Sequence, residues 1–312
     1  MLAQSSTSHR HLTQAGTDIH FLSSGEHQQQ GRLAVLLHGL GGSTETFREL
    51  LPFIPPNYQV INVDVEGFGK TPLNQEGKPL SFARYVSDLH DLITHVQESG
   101  SASTSSSTST AGTATATATT AINGNSSSSN RSQEPVLLVG HSLGGIISLH
   151  YAAQYPTQVA GLLLLGPGRS LKSIPPAQKG MQALARTARE QGMDAVAQMA
   201  LQSNFPADRD NEPAHVQQVR DAVASSDAEA YASTAEAIAS DDHHDPDYSR
   251  IRCPVVFVAG DKDKISPVQR SEDISALLGG PAEVVVVKSG HQPILQDLEG
   301  VTKAFDKLLA MV

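Results

Sequence analysis

The chain has 312 residues, 39% of them hydrophobic, with a formal net charge of −10 and a pI of about 5.7. That length holds one large domain or two ordinary ones, and an acidic balance with no Lys/Arg run excludes nucleic acid as an expected partner. A single cysteine, Cys253, leaves no disulfide framework and no thiolate zinc cluster, and no apolar run approaches the ~20 residues of a membrane-spanning helix, so no membrane partner is expected either.

Met1 to Gly16 is a polar segment without the apolar stretch of a secretory signal, so a soluble, cytoplasmic protein is expected. Ala34-Val35-Leu36-Leu37 is the first of several short, continuous apolar runs. Continuous rather than alternating apolarity predicts strands buried on both faces, as in a parallel sheet covered by helices. This run ends in His38-Gly39-Leu40-Gly41-Gly42, whose glycines allow a loop to turn its amides toward a site. His38, closing a strand beside glycines, is expected to be a structural hydrogen-bonder rather than a base. A second run, Val60 to Val63, leads into Asp64-Val65-Glu66-Gly67-Phe68-Gly69. Tyr85, Leu89, Leu92, Ile93 and Val96 then recur at three- and four-residue spacing, which predicts a helix with one buried stripe.

From Ser99 to Ser132, 20 of 34 residues are Ser or Thr and only Ile122 is strongly apolar. Such a stretch cannot bury enough surface to offset its ordering entropy, so residues 99–132 are expected to form a disordered surface insertion.

Val136 to Val139 predicts a strand, and Gly140-His141-Ser142-Leu143-Gly144 follows it directly before the helical pattern of Gly145, Ile146 and Ile147. Strand, Gly-X-Ser-X-Gly turn, helix is the order that holds a serine at a sharp, strained bend. Glycines on either side let strand and helix approach, and the helix N-terminus points free N–H groups at the reacting oxygen. Ser142 is therefore the candidate nucleophile, and the amides of Leu40 and Leu143 are candidate donors of an oxyanion hole.

After the run Leu162 to Leu165, residues 169–250 carry no strand-like run but do carry helical stripes: Met181, Leu184, Ala185 and Ala188, then Val216, Val219 and Val223. They predict a helical cap inserted over the ligand face. Arg169, at its start, could meet a substrate carboxylate; a surface arginine capping a helix is the plainer alternative. His243 and His244 are adjacent, so their side chains diverge, and no metal is expected there. Cys253 reads as a buried apolar residue.

Val255 to Val258 runs through Gly260 into Asp261-Lys262-Asp263-Lys264-Ile265-Ser266-Pro267. Both aspartates can reach across the top of a sheet; Asp263, further into the loop, is the favoured orienting acid. After Val284 to Val287, Lys288-Ser289-Gly290-His291 puts His291 on a glycine-flanked loop where a general base belongs. Strand alternating with helix predicts an α/β fold with a mostly parallel sheet, its core formed by residues 17–168 and 251–312.

These motifs together resemble the alpha/beta-hydrolase superfamily, in particular its cap-bearing members. The resemblance rests on His38-Gly39, Asp64 to Gly69, the elbow at Ser142, Gly260 to Pro267 and Gly290-His291. It implies an acid three residues after the strand-ending glycine and four before a proline, which is Asp263. Within the superfamily, the His38 to Gly41 loop and the cap position look most like 3-oxoadipate enol-lactonases and related small-ester hydrolases. A serine at the elbow sets the chain apart from the dehalogenases and epoxide hydrolases, which place an aspartate there. The expected function is a serine hydrolase cleaving a small carboxylic ester or lactone, with Ser142 as nucleophile, His291 as base and Asp263 as orienter. Its partners are then the substrate and water, with no metal or organic cofactor. Two alternatives stay open: hydrolysis of a carbon–carbon bond in a vinylogous diketone, and a slow-turnover ligand receptor on the same fold.

Overall fold

The computed structural model describes residues 6–25, 32–74, 79–102 and 134–312. The chain begins with β1 (Thr7–Leu12), β2 (Asp18–Ser24), β3 (Arg32–Leu37), β4 (Tyr58–Val63) and α1 (Phe82–Ala102). It continues with β5 (Val136–His141), α2 (Leu143–Gln154), β6 (Val159–Leu165) and four helices, α3 (Pro175–Gln191), α4 (Met193–Asn204), α5 (Pro213–Ala224) and α6 (Ala228–Ala239). The remainder is β7 (Val255–Gly260), α7 (Val268–Ser275), β8 (Ala282–Val287), α8 (Pro293–Gln296) and α9 (Leu298–Leu309).

The strands form one sheet in the order β1-β2-β4-β3-β5-β6-β7-β8. Pairing is parallel from β4 through β8 and antiparallel only at β1–β2 and β2–β4. The apolar runs are continuous because alternate side chains enter two different cores. Val35 and Leu37 of β3, Leu138 of β5, Leu162 and Leu164 of β6 and Phe257 of β7 pack with α1 and α2 on one face. Leu36, Leu137, Val139, Leu163, Leu165, Val256 and Val258 pack with Phe47, Leu50 and α9 on the other. Val301, Ala304, Phe305 and Leu308 of α9 fall at helical spacing and are all buried. The stripe predicted in α1 is buried in full, from Tyr85 to Val96.

Three features differ from the sequence reading. The polar segment 1–16 contains β1, an edge strand whose residues are mostly exposed; it pairs only with β2, so no apolar pattern marks it. β8 is the opposite edge, and Val286 is 53% exposed rather than buried between helices. Helix α1 runs on through Ala102, into the segment assigned to the Ser/Thr insertion; the rest of that insertion up to residue 132 lies outside the described residues. Among the described residues no helix is long and apolar enough to cross a membrane.

Candidate active site

The turn after β5 is tightly constrained. Ser142 has φ 51° and is, among the described residues, the one non-glycine residue with positive φ. A β-branched or bulky residue there would be strained, and strain of this kind is maintained only where the surroundings over-determine it. The two glycines of the motif supply those surroundings. A Cβ on Gly140 would lie 2.5 Å from the Gly144 carbonyl oxygen, and one on Gly144 would lie 1.9 Å from the Leu37 carbonyl oxygen. Strand and helix can meet only without those atoms. The Ser142 amide donates to Leu165 O at 3.0 Å and the Gly144 amide to His38 O at 3.0 Å, which fasten the elbow to β6 and to the loop after β3.

Asp263 and His291 are brought together across the ends of β7 and β8. His291 Nδ1 lies 2.7 Å from Asp263 Oδ2, and both side chains are buried. The other carboxylate oxygen of Asp263 accepts the amides of Ile265 and Ser266, each at 2.8 Å. Burial pushes the Asp263 pKa up, but the charge and hydrogen bond of His291 and those two amides outweigh it and hold it below the ordinary carboxylate value. Gly166, at the end of β6, has φ +50°, and a Cβ there would stand 3.0 Å from Asp263 Oδ2 and 3.3 Å from His291 Nδ1, so a side chain at this position would be strained and would crowd the pair. Asp261, the competing acid, is ion-paired with Arg209 and exposed.

The loop after β3 borders Ser142. A Cβ on Gly39 would be 3.1 Å from Ser142 Cβ, so its peptide lies against the serine. Gly39 O faces His38 Nδ1 at 2.7 Å and accepts the Gly42 amide at 3.0 Å. In a trans peptide the N–H of Leu40 then points the opposite way. His38 Nε2 accepts the Val65 amide at 2.9 Å, so this fully buried histidine has both ring nitrogens committed to backbone and is structural. Leu143 is the first residue of α2, where an amide has no intrahelical partner. Asp64 is structural too: it accepts the amides of Thr44 at 2.7 Å and Lys70 at 2.9 Å and faces His20 Nδ1 at 2.7 Å.

Ser142, Leu143, Leu40 and His291 line one cavity of about 1200 Å³, whose far wall is formed by α3, α4, α5 and α6. The sequence reading expects a small substrate; this volume exceeds the ~300–1,000 Å³ of ordinary ligand pockets. Arg169 also lines the cavity, but its guanidinium is bonded to Asp245, Nε donating to Oδ2 at 3.0 Å, and Asp245 Oδ1 accepts the Ser170 amide at 2.8 Å. Its charge is thus met by the protein itself, which removes the reason for assigning it a substrate carboxylate. His243 is buried with its ring stacked on Phe82 and Nδ1 against Ile238 O at 3.0 Å, while His244 is exposed toward Lys172: the two do diverge. Cys253 is half-buried, and burial pushes its thiol up to about 12.

Two contributors were not visible in the sequence. His141 Nε2 lies 2.8 Å from the His291 carbonyl oxygen, and burial, with the neighbouring His291, pulls its pKa down to about 3, so at neutral pH it is an uncharged donor holding the His291 loop. Asn204, at the end of α4, accepts the His291 amide at 3.0 Å through its carbonyl, and its side-chain oxygen accepts Gln292 Nε2 at 2.6 Å. A residue between two glycine-motif positions and a helix-end asparagine carry no sequence signal of these tasks.

Residues 34–304 match the alpha/beta hydrolase family. The chain is 27% identical to a 2-hydroxy-6-oxononadienedioate/2-hydroxy-6-oxononatrienedioate hydrolase of Comamonas testosteroni over 58% of its own length and only 51% of that protein's. It is 24% identical to a pimeloyl-[acyl-carrier protein] methyl ester esterase of Neisseria meningitidis over 85% of this chain and 72% of that one. Its fold is similar to that of the enol-lactonase from Burkholderia xenovorans LB400, with a TM-score of 0.75 and 20% identity over 97% of this chain and all of the other, 100%.

Proposed function

Because the chain belongs to the alpha/beta hydrolase family, we propose that it is a serine hydrolase cleaving a carboxylic ester or lactone through an acyl-enzyme on Ser142. The observation that carries this reading is one cavity bordered by a serine at φ 51° and by a buried histidine whose Nδ1 lies 2.7 Å from an aspartate that stays ionised. An ionised Asp263 accepts from His291 Nδ1–H, which leaves Nε2 unprotonated and able to take a proton.

Ser142 Oγ forms a bond to the acyl carbon while its proton passes to His291 Nε2. Asp263 stabilises the imidazolium that results. The carbonyl oxygen becomes an oxyanion that the amides of Leu40 and Leu143 bind, each such donor contributing about 10²–10³ in rate. The carbon–oxygen bond to the leaving group then breaks and its oxygen takes the proton from His291. Water adds to the acyl-enzyme by the reverse sequence, its proton going to His291 and then to Ser142, and the free acid departs. Helices α3 to α6 serve as a cap that excludes bulk water and shapes the acyl site.

A second reading, hydrolysis of a carbon–carbon bond beside a dienoate ketone, is favoured by the names of the Comamonas relatives. The two separate on substrate. Steady-state kcat/KM is measured for 4-nitrophenyl esters, a simple lactone and a dienoate ketone, for wild type and Ser142→Ala. Turnover of the esters or lactone that is lost in Ser142→Ala supports the proposal; turnover of the dienoate ketone alone replaces it with the second reading.

A further inference from the structure

The charged side chains around the cavity are not balanced. Four cations, Arg48, Arg169, Lys264 and Arg270, border it, against the carboxylates Glu45 and Asp221. Arg48 is paired with Glu45 and Arg169 with Asp245, while Asp221 accepts Gln217 Nε2 at 2.7 Å. Lys264 stands in solvent. Arg270, on the first turn of α7, is half-buried, and among the described residues no carboxylate lies within ion-pair distance of it. It makes one hydrogen bond, Nη1 donating to Ile265 O at 2.7 Å. Its side chain borders the cavity, and none of its remaining nitrogens is a buried orphan, so they are open to solvent.

The two carboxylates whose charge acts on Arg270, Asp263 and Asp245, are both engaged elsewhere, Asp245 by Arg169 and the Ser170 amide. Asp263 has one oxygen on His291 and the other on the amides of Ile265 and Ser266. With no carboxylate at ion-pair distance among the described residues, and Nη1 already on Ile265 O, the half-buried guanidinium keeps the fork of its Nε and Nη2 donors to offer. Such a fork matches a carboxylate or another oxyanion in bidentate geometry. Leu171, Met181, Leu184, Val219 and Val223 give the cap side of the wall a large apolar share.

We propose that Arg270 selects substrates with an anionic group, so that the enzyme acts on amphiphilic esters: an apolar body under the cap helices and an acid end at Arg270. This rests on the ester-hydrolase reading of Ser142 and specifies its substrate class. The carboxylate contact considered for Arg169, with a surface arginine as the plainer alternative, falls here to an arginine that no carboxylate of the described residues pairs.

Matched esters test it: 4-nitrophenyl hexanoate against the mono-4-nitrophenyl ester of adipic acid, and 4-tolyl acetate against 4-acetoxybenzoate. The first pair places the acid on the acyl side, the second on the leaving-group side. kcat/KM is taken relative to the hydroxide-catalysed rate of the same ester. Wild type is expected to favour the anionic member of one pair, and Arg270→Gln to lower that preference by about 10- to 100-fold. Arg270→Lys retains part of the preference, since an ammonium supplies the charge without the fork, and it carries the test if Arg270→Gln fails to fold. Ser142-dependent turnover with no anionic preference in either pair overturns this inference alone, as does a preference that Arg270→Gln leaves intact. Absence of Ser142-dependent turnover of all four esters and of a simple lactone overturns the underlying reading and this inference with it.

Discussion

Replacing Asp263 by asparagine changes the volume of the site very little and its protons a great deal. In the wild type Oδ1 accepts two amides at 2.8 Å and Oδ2 faces His291 Nδ1 at 2.7 Å. The single oxygen of asparagine has to stay with the amides of Ile265 and Ser266, because turning its NH₂ toward them would leave buried donors unmet, at about 1–3 kcal/mol each. The NH₂ group then points at Nδ1, which must accept, and the imidazole proton moves to Nε2. That is the atom required to take the serine proton, so kcat should fall by about 10⁴-fold while the protein stays folded. The assay is hydrolysis of the best ester by wild type and Asp263→Asn, with thermal unfolding beside it; a loss below about tenfold with a normal fold would refute the orientation argument. The same pair has a pH signature. A carboxylate whose folded pKa is depressed contributes stability that is fully present above its unfolded pKa, ~3.9, and is lost as pH falls through the folded value. The Tm difference between wild type and Asp263→Asn should therefore be flat near neutrality and shift against wild type below about pH 4; a difference that moves in favour of wild type on acidification contradicts it.

Gly144→Ala should destabilise by about 3 kcal/mol or more, because its Cβ would meet backbone at 1.9 Å, whereas Gly180→Ala, inside α3 with nothing within 4 Å, should stabilise by about 0.5–1 kcal/mol; urea unfolding of the two variants measures both. His141→Ala removes the donor that holds the His291 carbonyl, and kcat should drop on the order of 10- to 100-fold with little change in KM. His141→Gln, which can still donate, should recover part of the loss; equal losses in both variants would sink the positioning role. Replacing residues 103–132 by a short Gly/Ser link should leave kcat/KM within about twofold, as surface changes usually do. Gln97 Nε2 already ties the end of α1 to Glu134 O at 2.7 Å, at the end of β5 opposite Ser142, so the link spans a gap that the fold itself closes.

The parallel sheet was legible because burial on two faces forces apolarity at every position, as Leu162 to Leu165 show by feeding both cores in alternation. The elbow was legible for a different reason: a close approach of backbones permits only glycine, and Gly140 and Gly144 stand where a Cβ would strike. β1 was not legible, since an edge strand of exposed polar residues has no period that separates it from a loop. His291 and Asp263 could be placed by their loops, but His141 could not, because a hydrogen bond to a carbonyl 150 residues away leaves no local pattern. Arg169 and Arg270 were separable only in space. The first pairs with Asp245, 76 residues on, and the second has no carboxylate at ion-pair distance among the described residues, and sequence distance carries neither fact. The size of the cavity is set by how α3 to α6 sit around it, which stripes such as Met181 and Leu184 do not specify.

Covalent labelling tests most directly whether Ser142 is an activated nucleophile. Wild-type protein and folded Ser142→Ala are treated with a fluorophosphonate at neutral pH, and intact masses are recorded. A single covalent adduct is expected on the wild type and none on the variant. A folded wild-type protein that stays unlabelled, or a variant that labels as fast as the wild type, would contradict it.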